Sequence, residues 1–318
     1  MTAYIIRRLI QAVLVIIVVT LLIFFAMRVL PGDPILIYMV QSNVALLTPE
    51  MEADLRHEFG LDKPIMMQYV DWMAGVFRGN FGTSIHYGES VGTLLAERIP
   101  VTLYLGLVSL AISCVIGILF GLVAALRRGG AVDTGVTALA NFGVAAPSFW
   151  LGILLIYFIG LYLGWLPIQG FTSPFDDFWL STKKLIMPVF VLASWSMAFL
   201  SRQTRSSILE VVRQDYIRTA WAKGLRERVV VTRHVLKNGL ITVITVLGML
   251  LSMTIGGTVI IENVFNIPGM GRLLVSSVFS QDYQVVQSSI LVIGVSVVLV
   301  NLLVDIAYGW LDPRIRYN

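Results

Sequence analysis

The interval from Ser201 to Gly239, SRQTRSSILEVVRQDYIRTAWAKGLRERVVVTRHVLKNG, holds the densest set of side chains capable of polar chemistry in the sequence, with nine of the chain's 23 lysines and arginines. Within it Ile217, Ala220, Trp221 and Gly224 recur at the i, i+3, i+4, i+7 spacing of one helical face. The glycine at the end of that run suits a helix stop and a close approach by another backbone. This is the chemistry of recognition: a short basic amphipathic helix presented to a partner. Glu210, Asp215 and Glu227 interrupt the cations, which disfavours a nucleic-acid face. The alternative is a solvated loop whose charges only set topology.

Sets that would make or break bonds are missing from the sequence. No GxxxxGK[ST] phosphate loop occurs, and GNFGTS at Gly79–Ser84 has glycines without a lysine, so it reads as a turn. No spacing brings a serine, a histidine and a carboxylate to one accessible surface. His57, His86 and His234 fall on segments assigned to opposite sides of a membrane, which argues against a shared metal site. Cys114 is the only cysteine, so no intrachain disulfide or cysteine-based metal cluster forms. Asp305 is the one clear ionisable group inside an apolar run, where a proton relay would need several; its spacing from Asn301 predicts a polar pair on one helix face. The chain is therefore expected neither to hydrolyse ATP nor to act as an enzyme by itself.

The elements that must position the basic helix are membrane spans. Of the 318 residues, 57% are hydrophobic and only 13% charged, with a mean hydropathy of +0.83, whereas about a quarter of residues in soluble domains are charged. An apolar run crosses about 30 Å of hydrocarbon in about 20 helical residues. Six runs qualify: Leu9 to about Val29, Val101–Leu126, Ala138–Leu163, Leu185–Leu200, Leu240–Ile261 and Val285 to about Trp310. The first, after Arg7 and Arg8, reads as a signal anchor and not a cleaved signal. Arginine-rich segments alternate with acidic ones. Arg7/Arg8, Arg127/Arg128, the 201–239 interval and Arg314/Arg316 are predicted to lie inside, and Glu50, Glu52, Asp54, Glu58, Asp62 and Asp71 outside. Both termini are then cytoplasmic.

Between the first two spans, residues 31–100 are predicted to form a small extracytoplasmic helical insertion. One helix is capped by Thr48, starts at Pro49 and ends at Gly60, and a second runs from Pro64 to near Gly79. Pro147 interrupts the third span, which predicts either a kink or a silent membrane proline. Gly117 and Gly121 form a GxxxG packing spacing, and Trp165 and Trp179 fit an interfacial aromatic belt. The segment ENVFNIPGMGRLL from Glu262 reads as an external re-entry. The organisation expected is 1–30, tail and first span; 31–100, insertion; 101–318, a five-helix core containing the 201–239 loop.

DYIRTAWAKG at Asp215–Gly224 and RHVLKN from Arg233 resemble the cytoplasmic coupling loop of permease subunits of binding-protein-dependent ABC importers, in the peptide and nickel branch. RRL near the start, PGDP at 31–34, the 262 re-entry, DYQVVQ at Asp282, NLLVD at Asn301 and DPRIR at Asp312 resemble the same branch in the same order, so the likeness covers nearly the whole chain. The general pattern places Glu-Ala-Ala where this chain has Arg218, Thr219 and Ala220, and Thr242 stands where the branch often has proline.

The resemblance implies an all-α, six-helix type I ABC importer permease fold in a bacterial or archaeal plasma membrane, the inner one if the cell is Gram-negative. The partners implied are a homologous second permease, two ATP-binding subunits that use ATP and Mg2+, an extracytoplasmic solute-binding protein and the lipid bilayer. This chain itself carries no cofactor, metal site or nucleic-acid contact. Asp215, Tyr216, Arg218, Thr219, Ala220, Lys223 and Gly224 would form the ATPase-coupling site. The cargo would be dipeptides or oligopeptides, with nickel, a metal chelate or glutathione as the alternative, and a stand-alone secondary transporter as the rival of another class.

Overall fold

The computed structural model of the protein describes residues 2–29, 35, 49–58 and 60–311. PGDP, Thr48 and the DPRIRYN tail lie outside the described residues. Among the described residues no strand forms beyond an isolated bridge between Thr83 and Ser90. The helices are α1 (Thr2–Val29), α2 (Pro49–Glu58), α3 (Ile65–Phe77), α4 (Val91–Leu126), α5 (Ala131–Ala145), α6 (Ser148–Tyr162), α7 (Phe178–Val212) and α8 (Asp215–Ala222). Then come α9, which runs from Glu227–Val229 through the π-helical Val230–Leu236 into Lys237–Val264, α10 (Met270–Phe279) and α11 (Tyr283–Leu311). Five helices are long and apolar enough to cross a membrane singly, and α5 with α6 makes a sixth span if the bent pair is counted as one.

Two compact units cut across the boundaries expected from the sequence: Met1–Thr102 with Pro268–Ile306, and Leu103–Ile267 with the last residues. In the first unit, Val91, Leu94 and Leu95 pack against Met270, Leu273 and Val285. That packing extends α4 upstream of its expected start at Val101, so Pro100 lies inside the helix. Phe24 of α1 packs on Trp72 of α3 and Leu291 of α11, and Met27 on Tyr283 and Val286. The 79–90 turn is pinned to α11 by buried Asp282, whose Oδ2 accepts from Ser84 Oγ at 2.5 Å and from the His86 backbone N–H at 3.0 Å. Asp305 is engaged by Arg8 of α1 at 3.1 Å, so its ion-pair partner lies on another helix and not at Asn301.

In the second unit α4 and α7 pack through the GxxxG spacing. A Cβ on Gly117 would lie 2.8 Å from Leu200 Cβ, and one on Gly121 would meet Ser201 O and lie 2.6 Å from Thr204 Cβ. Hydrogen atoms at these two positions are what let the helices touch. Ser113 Oγ, which donates to Ser109 O at 2.8 Å and lies 3.2 Å from Ala193 O, adds a polar tie across the same seam.

Pro147 breaks the third span outright. α5 and α6 meet there at a bend of 103°, because proline supplies no N–H and its fixed φ directs the chain into extended backbone before α6 starts. After α6, Trp165 and Trp179 are both largely exposed, and Asp177 caps α7 by accepting from Leu180 N at 2.9 Å.

The 201–239 interval is not the long loop expected. α7 continues to Val212 and α9 begins at Glu227. At 1.5 Å per residue the 35 residues of α7 reach about 50 Å, well beyond the hydrocarbon thickness of about 30 Å. The surplus turns have to be polar, which is why their sequence reads as a loop.

The seam between α4 and α7 is directly testable. Gly121→Ala forces α7 away from α4 and should lower the melting temperature of the detergent-solubilised protein by several degrees, in keeping with an overpacking cost of about 1–3 kcal/mol. Gly135→Ala, whose added methyl meets nothing within 4 Å, should leave it unchanged or slightly raised. Fluorescence-detected thermal unfolding of the two variants checks the contrast.

Candidate functional site

α8 is an eight-residue helix, too short to be stable in water alone, so its form depends on what it buries. Its inner face supplies Ile217, 0% exposed, and Ala220, 6% exposed. They share one apolar cluster with Ala125 of α4, Ile208 of α7, and Val230 and Val235 of α9. The outer surface carries Asp215, Arg218, Thr219 and Lys223, together with Tyr216 and Trp221, which are 45% and 44% exposed. Leu225, just past the helix, is 40% exposed.

The face read from sequence is therefore divided. Ile217 and Ala220 hold the helix to its own chain, Trp221 turns outward, and Gly224 lies beyond the last turn. Of the seven residues assigned to the site, Ala220 packs inward and the other six lie on or next to the outer surface.

Local geometry explains the position. Arg213 ends α7 and Gln214 is extended (φ −71°, ψ 146°), so two residues turn the chain from one helix into the next. Thr219 Oγ donates to Asp215 O at 3.0 Å, and Arg218 reaches Asp215 at 3.5 Å. Both of those charges are strongly exposed, so the pair adds little stability and leaves both side chains free to find other partners. At the far end Gly224 has φ +75°, the left-handed conformation that ends many helices, and its N–H bonds to Trp221 O at 2.9 Å. A Cβ there would meet nothing of this chain within 4 Å.

The crook that receives α8 is closed by α7 and α9. Ser207 Oγ donates to Gly239 O at 2.8 Å, and Ile208 Cδ1 lies 2.7 Å from where a Cβ on Gly239 would be. Nearby, Arg205 of α7 grips Asp133 of α5 with two parallel bonds, Nε to Oδ1 at 2.6 Å and Nη2 to Oδ2 at 2.8 Å. Asp133 also accepts from Gly129 N at 3.0 Å and sits in the first turn of α5, where a carboxylate suits the helix dipole. Sequence reasoning missed this clamp. Its signal was available: Asp133 is the sole carboxylate between Glu97 and Asp176, just after the Arg127/Arg128 pair.

The histidines remain apart. His57 bonds to Asp62 at 2.8 Å, and the His86 ring packs edge-on to Tyr87. Among the described residues no group of three His, Cys, Asp or Glu side chains converges on a point suited to a metal ion.

Comparison with known proteins yields concordant likenesses. The family described as "Binding-protein-dependent transport system inner membrane component" matches residues 117–317, and its N-terminal companion matches residues 1–106. A putative peptide transport system permease protein of Brucella abortus (strain 2308) is 43% identical over 321 residues, covering 100% of both chains. The oligopeptide transport system permease protein AppB of Bacillus subtilis (strain 168) is 40% identical over 320 residues, again with 100% of both covered. Among solved structures, an inward-facing MetNI methionine ABC transporter aligns with a TM-score of 0.57 at 18% identity, over 69% of this chain and 96% of that one. An amino acid ABC transporter crystallised with histidines aligns at 0.51 and 17%, over 67% and 92%. At such identities these structures speak for the fold alone, and the fold is the all-α type I permease architecture expected from the sequence.

The clamp yields a second test. Arg205→Gln strands the Asp133 carboxylate, which is only 8% exposed, and should cost about 1–3 kcal/mol once discounted for the partly open guanidinium. Asp133→Asn should be milder, and the double variant should recover part of the loss. A double-mutant cycle on thermal unfolding measures the coupling; additive losses would mean that the two groups do not act as a pair.

Proposed function

The chain belongs to the inner-membrane components of binding-protein-dependent transport systems, and from that membership we propose that it is one half of the membrane pore of an ATP-driven peptide importer. The observation that carries the mechanism is α8. A short helix anchored by Ile217 and Ala220 holds Tyr216, Trp221 and Leu225 outward amid charges, on the polar end of two membrane helices. Large apolar groups displayed on a charged surface outside the bilayer call for a partner. In this reading the partner is a cytoplasmic ATP-binding subunit, and Asp215, Tyr216, Arg218, Thr219, Lys223 and Gly224 meet its surface while Ala220 holds the helix in place.

Movement of the ATPase would press on α8 and pass into α7 and α9, to which it is packed. Because both continue into the membrane, displacement of their ends becomes tilting of spans, and the break at Pro147 supplies a segment that can follow. ATP and Mg2+ belong to the partner subunits, two of them in the expected assembly with a second permease and an extracytoplasmic solute-binding protein. Peptides are the proposed cargo because the full-length relatives are named for peptide transport. The secondary-transporter alternative loses support from the ion pairs. Asp305 is occupied by Arg8 and Asp133 by Arg205, which suits structural roles better than a proton relay.

Orientation is tested by labelling. In a Cys114→Ser background, cysteines placed at exposed Glu89 and Phe175 should react with an impermeant maleimide added to intact cells, and one at exposed Gln214 should react only after lysis. Labelling of Gln214→Cys in intact cells would reverse the assignment.

Coupling is tested at Gly224. Alanine and leucine both meet the strain of positive φ, about 1 kcal/mol, and neither meets any atom of this chain at Cβ. Any difference between them beyond that strain reports the partner's surface. With the assembled importer in proteoliposomes, Gly224→Ala should weaken peptide uptake modestly, whereas Gly224→Leu should lower uptake and ATPase co-purification several-fold further at normal expression. Normal uptake by the leucine variant would remove Gly224 from the contact.

A further inference from the structure

Within the unit formed by residues 1–102 and 268–306, a cavity of about 260 Å³ lies against α1, α3 and the start of α11. Arg28, in the last turn of α1, lines it together with Gln68, Trp72 and Gln287. The Arg28 guanidinium has only neutral partners: Nε and Nη2 donate to Gln68 Oε1 at 3.1 and 2.7 Å, Nη1 donates to Phe24 O at 3.1 Å, and the Phe24 ring centroid is 3.4 Å from Cζ. Among the described residues no carboxylate pairs with it. The other lining charges are engaged, Lys63 with Asp71 at 2.7 Å and His57 with Asp62 at 2.8 Å. The cavity therefore holds one positive charge that nothing balances.

Two donors on its wall are also unanswered. Trp72 Nε1, on a side chain 8% exposed, and Gln287 Nε2, on one 2% exposed, make no hydrogen bond. Buried donors are nearly always satisfied, and indole has a donor and no acceptor, so the missing partner at Trp72 must be an acceptor. A half-buried guanidinium and two free N–H groups around one small polar space form the complement of an oxyanion. We propose that this cavity is a binding site for a carboxylate or phosphate group. That group could be the free carboxylate of a short peptide or the headgroup phosphate of a lipid, and the site does not depend on which cargo the importer carries.

Fluorine NMR of the full chain, labelled with 5-fluorotryptophan and purified in dodecyl maltoside, reports directly on Trp72, whose resonance is assigned by Trp72→Phe among the seven tryptophans. Alanyl-alanine, alanyl-alaninamide and phosphatidylglycerol are titrated separately. A saturable shift with alanyl-alanine and none with the amide identifies a carboxylate ligand; a saturable shift with phosphatidylglycerol alone identifies a lipid phosphate; a shift with both identifies a site open to either. Arg28→Gln should raise the half-saturating concentration tenfold or more, with the other six tryptophan resonances in place as a check on folding. Gln287→Leu, which keeps the charge, should raise it several-fold and replaces the first variant if that one misfolds. The proposal falls if neither oxyanion moves the Trp72 resonance, if the amide moves it equally, or if binding is the same in the folded variants.

Discussion

Contact between Ile208 and the bare backbone of Gly239 brings α7 and α9 together, and the mechanically active end of the second unit depends on that approach. A side chain at Gly239 would drive the helices apart, open the crook in which Ile217 and Ala220 are buried, and leave α8 without its apolar support. An eight-residue helix has little stability of its own, whereas burying one isoleucine is worth about 1.5–3 kcal/mol. The element that meets a partner thus exists as a helix only while it is attached to the two spans it would move. A freestanding helix on a flexible loop could bind a partner but would transmit nothing.

Rigidity and its interruption are distributed accordingly. α7 and α9 run continuously from polar solvent into the membrane, with the GxxxG seam holding α4 on α7 and the Arg205–Asp133 fork holding α5. α6, beyond the 103° bend at Pro147, has no such continuity with α5. A load applied at α8 therefore meets stiff rods first and a break second, an order that suits gating by tilt over deformation of individual helices. The fork is also the one strong charge-assisted contact near α8, and it is sheltered on the carboxylate side, where solvent and salt weaken it least.

The unit containing α1, α3, α10 and α11 is organised differently, around satisfied and unsatisfied polar groups. Asp282 ties the 79–90 turn down with bonds from Ser84 and His86, an arrangement in which a buried carboxylate is compensated by hydrogen bonds. Arg28 has no comparable compensation by charge, and that contrast within one unit is what sets its cavity apart from ordinary structural polar contacts.

The sequence by itself determined what depends on composition and local order. Apolar runs of spanning length, the alternation of arginine-rich and acidic connections, α3 from Pro64 to near Gly79 and the short helix ending at Gly224 were all legible, because hydrophobic periodicity, capping chemistry and the glycine signal act within a few residues. Six of the seven residues assigned to the coupling site fall on or beside the outer surface of α8 for the same reason. Tertiary structure alone decided what depends on pairing across the chain. Ala220 turns inward because Ile208, Val230 and Val235 wait there; Asp305 meets Arg8, some 300 residues away in sequence; Asp133 meets Arg205. The 201–239 interval misleads as a loop because polarity marks the height at which a helix leaves the bilayer and not the place where it ends. Hydropathy records the solvent around a residue, whereas helix continuity follows from backbone hydrogen bonds that form in water and lipid alike.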